Sequence, residues 1–479
     1  MKDNNEKLNE AFLNIDPSYI EKAAKPPKRK RKAIVAAILV AALLTGALLS
    51  IPFFQNDRKS GEPAVGTEGS TAPDINEDLP YEMQCLDLME GIVGEDVAIK
   101  NPDEAFINSQ MRFSLKLFQE SITESKDQNV LISPLSVMLA LSMTANGSNG
   151  ETKAELENVL GGGITAEDMN AYLKGYIKEL AKRKYTKLQI ANSVWFKDSK
   201  DFQANPIFLQ TVADYYGADI FKAPFDNTTV KDINHWICEN TDGLIEKMLD
   251  ELEPDTVMCL INTLFFEAEW NDKYSNYSVS KDTFTSISGQ KKEVELMYAN
   301  INLYLQDDNA LGFAVDYEPY EGLRFDFVAL LPNEGVDIYD YIAGLTPEGL
   351  LTTLSNVHYH ETKTWLPKFD YEYSLDMKNT LQSMGISSAF NAASADFSGL
   401  GTSSWGPLYI NNILHKTHIT VNEHGTKVGA TTIISASGGS GPSLVVPKII
   451  KLDRPFVYMI IDNTTNLPIF MGAVMDIGK

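Results

Sequence analysis

Val421-Asn-Glu-His-Gly-Thr-Lys-Val-Gly-Ala-Thr-Thr-Ile-Ile-Ser-Ala-Ser-Gly-Gly-Ser-Gly-Pro-Ser-Leu-Val-Val-Pro447 holds two patterns in one run. Alternate residues from Thr426, namely Val428, Ala430, Thr432, Ile434 and Ala436, are uncharged and none is bulky, while Lys427 falls on the other face. A period of two with one uncharged face is what a strand slotting into a sheet requires. The tract Gly438 to Gly441 reads instead as an exposed loop. One segment therefore suits two conformations, buried strand and exposed loop, which predicts a switch. An ordinary strand followed by a surface loop is the simpler reading of the same residues.

Outward from this run, the chain after Asp103 has a mixed pattern. Ile107, Met111, Leu115, Phe118 and Ile122 recur at spacings of three and four, one stripe of an amphipathic helix. A second helix is predicted after Ser133-Pro134, and a third opens with Thr152-Lys-Ala-Glu155, a capping-box pattern, and stops at Gly161-Gly-Gly163. Strand-like runs dominate thereafter: 190–196, 257–266, 325–331, 456–461 and 469–474. Helices first and mostly strands later predict an α+β fold.

The first hundred residues differ in kind. Residues 1–32 are basic, with Lys28-Arg-Lys-Arg-Lys32 at their end, and Ala33 to Phe54 follow without a charge. A helix of that length spans ~30 Å of hydrocarbon. The positive-inside bias predicts a cytoplasmic tail at 1–32, an anchor at 33–54 and an extracytoplasmic body. A cleaved signal peptide, and hence a secreted chain, is the alternative. Residues 55–80 are rich in Gly, Pro, Ser, Thr and acids, as in a solvated stalk. Residues 81–102 either dock on the body or extend the stalk, giving a linker over 55–102 and a globular domain over 103–479.

The formal charge of −24 argues against a nucleic-acid partner. Three cysteines cannot form a disulfide framework, and no C-x-x-C pair marks a metal site. His358 and His360 share a strand face without an evident third ligand, so the sequence predicts no metal and no cofactor. No nucleophile elbow, zinc-protease helix, phosphate loop or dinucleotide fingerprint occurs, and no enzyme activity is expected.

Several further runs occur in a fixed order. They are Asn129-Val-Leu-Ile-Ser-Pro-Leu-Ser136, Asn262-Thr-Leu-Phe-Phe266 with Trp270, Leu366-Pro-Lys-Phe369, Met384 to Phe390, Ala395-Asp-Phe-Ser-Gly399, His415-Lys416, Val421 to Thr426, and Arg454-Pro-Phe456 with Phe470-Met-Gly472. In these motifs residues 103–479 resemble the serpin family of serine protease inhibitors, here a membrane-anchored member of bacterial type. The resemblance implies about nine helices and three sheets, a metastable fold with an exposed reactive loop, and a monomer. It implies a polar cluster of Ser133, Ser136, Asn262 and His415 under the central sheet, with Trp270 where the loop enters. Glu423, His424, Gly425, Thr426, Lys427, Val428, Gly429, Ala430, Thr431 and Thr432 match the loop hinge.

Such a protein acts as a suicide substrate: a protease acylates itself on the loop, which then inserts as an extra strand and carries the protease along. About fourteen inserted residues at ~3.3 Å each span on the order of 45 Å. The hinge departs from the family in Val428, bulkier than the usual alanine, and in His424. A non-inhibitory surface binding or adhesion protein on the same fold is the alternative. Counting forward from Glu423 gives Gly439 before the cut, and counting back from Arg454 gives Ser440, with Ala436 and Ser437 as alternative sites. No Lys, Arg, Phe, Tyr or Trp lies between Val428 and Val446, so a pocket for small side chains is implied, as in elastase-like or subtilisin-like proteases.

Overall fold

The computed structural model describes residues 81–477 apart from 183–185, 199–201, 244, 254, 273, 318–323, 404–405 and 427–445. The strands are β1 (Leu86–Asp87), β2 (Val130–Ile132), β3 (Lys187–Lys197), β4 (Gln203–Ala204), β5 (Asp219–Ala223), β6 (Met258–Glu269), β7 (Val279–Thr285), β8 (Lys291–Gln306) and β9 (Ala310–Asp316). They continue as β10 (Phe325–Pro332), β11 (His358–Pro367), β12 (Phe369–Asp376), β13 (Gly401–Thr402), β14 (Asn412–Asn422), β15 (Gly425–Thr426), β16 (Lys448–Lys451), β17 (Phe456–Asp462) and β18 (Leu467–Val474). Nine α-helices lie among the described residues.

The strands form three sheets. One has seven strands in the order β1-β5-β3-β6-β15-β14-β12, one has nine strands built along β16-β11-β8-β9-β10-β17-β18-β2 with β7 beside β8, and β4 pairs with β13. The α+β reading and the five strand runs agree with this architecture.

The helix Pro134–Ala145 has no polar face because every residue in it is buried, with Ser133 as N-cap and Pro134 in the first turn. The helix Glu104–Glu124 buries Met111, Leu115, Phe118 and Ile122 of the predicted apolar stripe, with Ile107 half-buried against the core, and is capped by Asp103, whose Oδ1 accepts from Phe106 N at 2.9 Å. The capping box at Thr152 does not form. The helix starts earlier, at Gly150 after Asn149, and Glu155 instead accepts from the backbone of Ser387 and Ser388 at 2.9 and 2.8 Å. A tertiary demand for that carboxylate outweighs the local one. The helix ends at Gly162, whose φ of 59° is left-handed.

Residues 81–92 pack on the body. Leu86 and Asp87 add an edge strand to β5, and the buried Asp232 accepts from Tyr81 Oη at 2.7 Å, Gln84 N at 3.0 Å and Cys85 N at 2.8 Å. Asp232 stands on the helix Asn227–Asn240, so the segment ties that helix to the sheet edge.

The membrane reading is corrected. No helix among the described residues is long and apolar enough to cross a membrane. The longest, Glu104–Glu124, spans 21 residues but carries Arg112, Lys116 and several carboxylates. The run 33–54 lies outside the described residues. The transmembrane helix before the domain, the single-pass topology with 1–32 cytoplasmic, and the membrane as partner therefore form no part of the fold as established.

Candidate functional site

The candidate site is a slit in the seven-stranded sheet. β14 runs parallel to β6 from Asn412↔Cys259 to His415↔Asn262, and there the pairing between these two strands stops. At the other end the two-residue strand β15 sits between them, with Gly425 and Thr426 opposite Glu269 and Ala268 of β6, and opposite Asn422 and Val421 of β14. Between those two points β6 and β14 do not pair with each other. Each keeps its outer neighbour, β3 on one side and β12 on the other.

The foot of the slit is a buried polar cluster. Ser133 N donates to His415 Nε2 at 3.1 Å, which makes Nε2 an acceptor and assigns the imidazole proton to Nδ1. His415 Nδ1 is buried with no hydrogen-bond partner among the described residues. Burial holds its pKa down to about 3, so the ring stays neutral. Asn262 donates to Ser136 O at 2.6 Å and to Asn192 Oδ1, and its own Oδ1 accepts from Ser136 Oγ. All four residues that the motifs assign to this cluster are thus brought together.

The head of the slit is a clamp on residues 422–426. Trp270 donates from its backbone to His424 O at 3.0 Å and from Nε1 to Asn422 O at 2.7 Å, and Tyr274 N donates to Glu423 O at 3.1 Å. Tyr317 stacks on Trp270 at 4.7 Å and hydrogen-bonds the buried Thr426 hydroxyl at 2.5 Å. Lys368 bridges Glu423 at 2.9 Å and Glu295 at 3.1 Å. Burial pushes the Glu423 carboxyl up, but Lys368 outweighs it and holds the group below its ordinary value. Gly425 has φ 147°, and a Cβ there would stand 2.2 Å from Ala268 O, so no other residue fits without backbone movement.

Lys427 to Thr432, Ala436, Ser437, Gly439 and Ser440 lie outside the described residues. Tyr317, Tyr274 and Asn192 were not singled out by the sequence. Each reaches the site through long-range pairing, and no local signal marks them. Lys368 falls within the motif Leu366 to Phe369, but its two carboxylate partners are 73 and 55 residues away in the chain. His358 and His360 pack around Tyr304, with ring centroids at 4.9 and 6.4 Å, and no metal-binding group of His, Cys, Asp or Glu occurs among the described residues.

The family model "Serpin (serine protease inhibitor)" matches residues 108–477, and the chain belongs to the serpin family. Serpins inhibit rather than catalyse, and this chain is not an enzyme. It is 29% identical to a serine protease inhibitor of Cyanea capillata over 78% of this chain and 98% of that one. It is 28% identical to the leukocyte elastase inhibitor of Homo sapiens, over 77% and 98%, and 27% identical to an uncharacterized serpin-like protein of Thermococcus kodakarensis, over 80% and 88%. Relatives so spread single out no bacterial source, which corrects that expectation.

Among solved structures, the thermophilic serpin tengpin in its native state superposes with a TM-score of 0.78 at 46% identity, covering 82% of this chain and 100% of that one. Tengpin in its latent state gives 0.70 at 44% identity, over 79% and 100%. The described fold is thus nearer to the native form than to the latent one.

Proposed function

We propose that this chain traps elastase-like or subtilisin-like serine proteases by inserting its cleaved loop between β6 and β14. The observation that carries the reading is the short strand β15, already seated at the head of a slit whose two sides are otherwise not joined. Extending its register gives the path of the inserted strand. Counting on from Thr426, Val428 falls opposite Ile419 and Phe266, Ala430 opposite Thr417 and Leu264, and Thr432 opposite His415 and Asn262. The even-numbered residues would then face inward, as Thr426 does. Val428 and Ala430 are uncharged, as the buried Ile419 and Thr417 beside them require.

Five residues, 427–431, fill the slit. At Thr432 the strand meets the fork where β6 and β14 pair, and further travel must replace that pairing. Free energy gained from the new ladder and from apolar burial is available to pull on the acylated protease. Removing one oxyanion donor from such a protease costs it ~3–4 kcal/mol of transition-state stabilisation, which is enough to stall deacylation.

The target class rests on the loop sequence, with Gly439 or Ser440 before the scissile bond and Ala436 or Ser437 as alternatives. The names of the two inhibitor relatives support a serine protease as partner. A non-inhibitory binding protein is the second reading. The same fold is seen in human thyroxine-binding globulin at 24% identity and a TM-score of 0.70, a likeness of fold alone.

Incubation with elastase, subtilisin and trypsin, followed by denaturing electrophoresis and mass spectrometry of the released peptide, tests both readings. An SDS-stable complex with elastase or subtilisin and release of a peptide beginning near Ser440 are expected. Cleavage without any complex would favour the binding protein, and a complex with trypsin alone would overturn the target class.

A further inference from the structure

The β9–β10 hairpin carries a like-charge pair where its two strands run into the segment that connects them, directly beside the clamp. Asp316 and Asp326 are opposite each other in the antiparallel register. The next residue after Asp316 is Tyr317, which holds Thr426 and stacks on Trp270. Both carboxylates are half-buried, and neither makes an ion pair among the described residues.

Among the described residues the surroundings supply no cation, and Asp462 adds to the negative charge near Asp326. On its other side Asp326 faces Ile461, and Asn463 Nδ2 donates to its Oδ1 at 3.0 Å. Arg324, on the same strand edge, is spent on Asp462, with Nε 2.8 Å from Oδ1 and Nη2 2.9 Å from Oδ2. From the segment after Trp270, Asp272 adds a third negative charge near Asp316, and Asn271 N donates to Asp316 O at 2.9 Å. Opposed like charges weaken a strand pair. Burial, then Asp316, push the Asp326 carboxyl up to about 7, and burial, then Asp272, raise that of Asp316.

We propose that the Asp316–Asp326 pair is a proton-dependent restraint on loop entry. With one of the two protonated, the hairpin end stays closed and Tyr317 is held against Trp270 and Thr426. With both ionised, repulsion loosens the last register pair before the connecting segment, Tyr317 shifts with Asp316, the hold on Thr426 weakens and the loop enters faster. These are positioning residues, since neither touches the loop itself. The inference rests on reading 423–426 as the point of entry.

The sign follows from the raised carboxyl. The folded chain keeps a proton that the unfolded chain gives up near pH 4, so the pair's contribution to stability is present at low pH and is lost as pH rises through about 7. His415 titrates with the opposite sense in an overlapping range, so the informative quantity is the difference between wild type and variant, in which His415 cancels.

The full chain, Asp326→Asn and Asp316→Asn should be melted at intervals from about pH 5.5 to 8.5 and assayed with subtilisin for inhibitor consumed per protease inactivated. Relative to Asp326→Asn, the wild type is expected to lose about 2–5 °C across that range, and relative to Asp316→Asn, in which burial still raises Asp326, a smaller amount in the same direction. Its consumption ratio should fall over the same interval, while that of the variants stays level. Either substitution removes the opposed pair, so the consumption ratio can be read from whichever variant folds.

A melting difference that does not change with pH, or a carboxyl carbon resonance of Asp326 titrating near 4, would overturn the restraint. A pH-dependent melting difference beside a consumption ratio that is level in pH would overturn the restraint as well, whereas no complex with any protease at any pH would overturn the inhibitor reading instead.

Discussion

Thr432→Arg tests the inserted register at its most exacting point. Counting six residues from Thr426, which pairs with Val421 and Ala268, brings position 432 opposite His415 and Asn262, partners of each other at the fork of the slit. Both are buried, His415 is held neutral, and the cluster offers no carboxylate. A guanidinium arriving there is an uncompensated buried charge, costing about 3–5 kcal/mol. At ~1.4 kcal/mol per tenfold, insertion past the fork slows by at least about a hundredfold, and deacylation overtakes it. The assay is a titration against elastase read on a denaturing gel. Wild type is expected to give one-to-one covalent complex, and the variant cleaved inhibitor with active protease. Complex formation by the variant at undiminished yield would refute the register. Thr432→Val refines the test: without the hydroxyl His415 Nδ1 keeps no partner, and the cleaved form should lose about 1–3 kcal/mol.

Three further outcomes are expected. Gly425→Ala forces a Cβ against the Ala268 carbonyl at a φ of 147°, and urea unfolding should show a loss of about 1–3 kcal/mol in the uncut protein. Removal of residues 81–92 strips every hydrogen-bond donor to Asp232 that comes from that segment, and calorimetry should record a destabilisation of about 3–5 kcal/mol, smaller in Asp232→Asn. Below pH 6.5 the unfolded chain takes up a proton that folded His415 refuses until about pH 3. The stability this residue contributes is therefore lost as pH falls, by about 2 kcal/mol between pH 7 and 5, read as the difference between wild type and His415→Gln.

What could be read in the sequence was local or periodic. The alternation from Thr426 to Ala436 continues the register in which Thr426 is seen buried, and the apolar stripe of 107–122 faces the core. The polar cluster at Ser133, Ser136, Asn262 and His415 was reached through short motifs, whose order along the chain carried information that no single stretch held. The missing parts depend on distance in the chain. Tyr317 meets Thr426 across 109 residues, and Asp326 is a liability because it is partly buried, Asp316 lies opposite and Arg324 is committed to Asp462. Glu155 shows the converse, a local capping signal overridden by Ser387 and Ser388, more than 230 residues on in the chain. The segment 81–92 has too short an apolar face to decide between docking and stalk. The decision is made by Asp232, a residue nearly 150 positions away.

The slit between β6 and β14 has a consequence for how such a protein is used. Once a strand has filled it, no source of energy in the fold can draw the strand out again, so each molecule works a single time. Its capacity is counted in copies, never in turnovers. A cell that relies on it sets the protease activity it will tolerate by how much inhibitor it makes, and recovers from an excess of protease at the rate of protein synthesis.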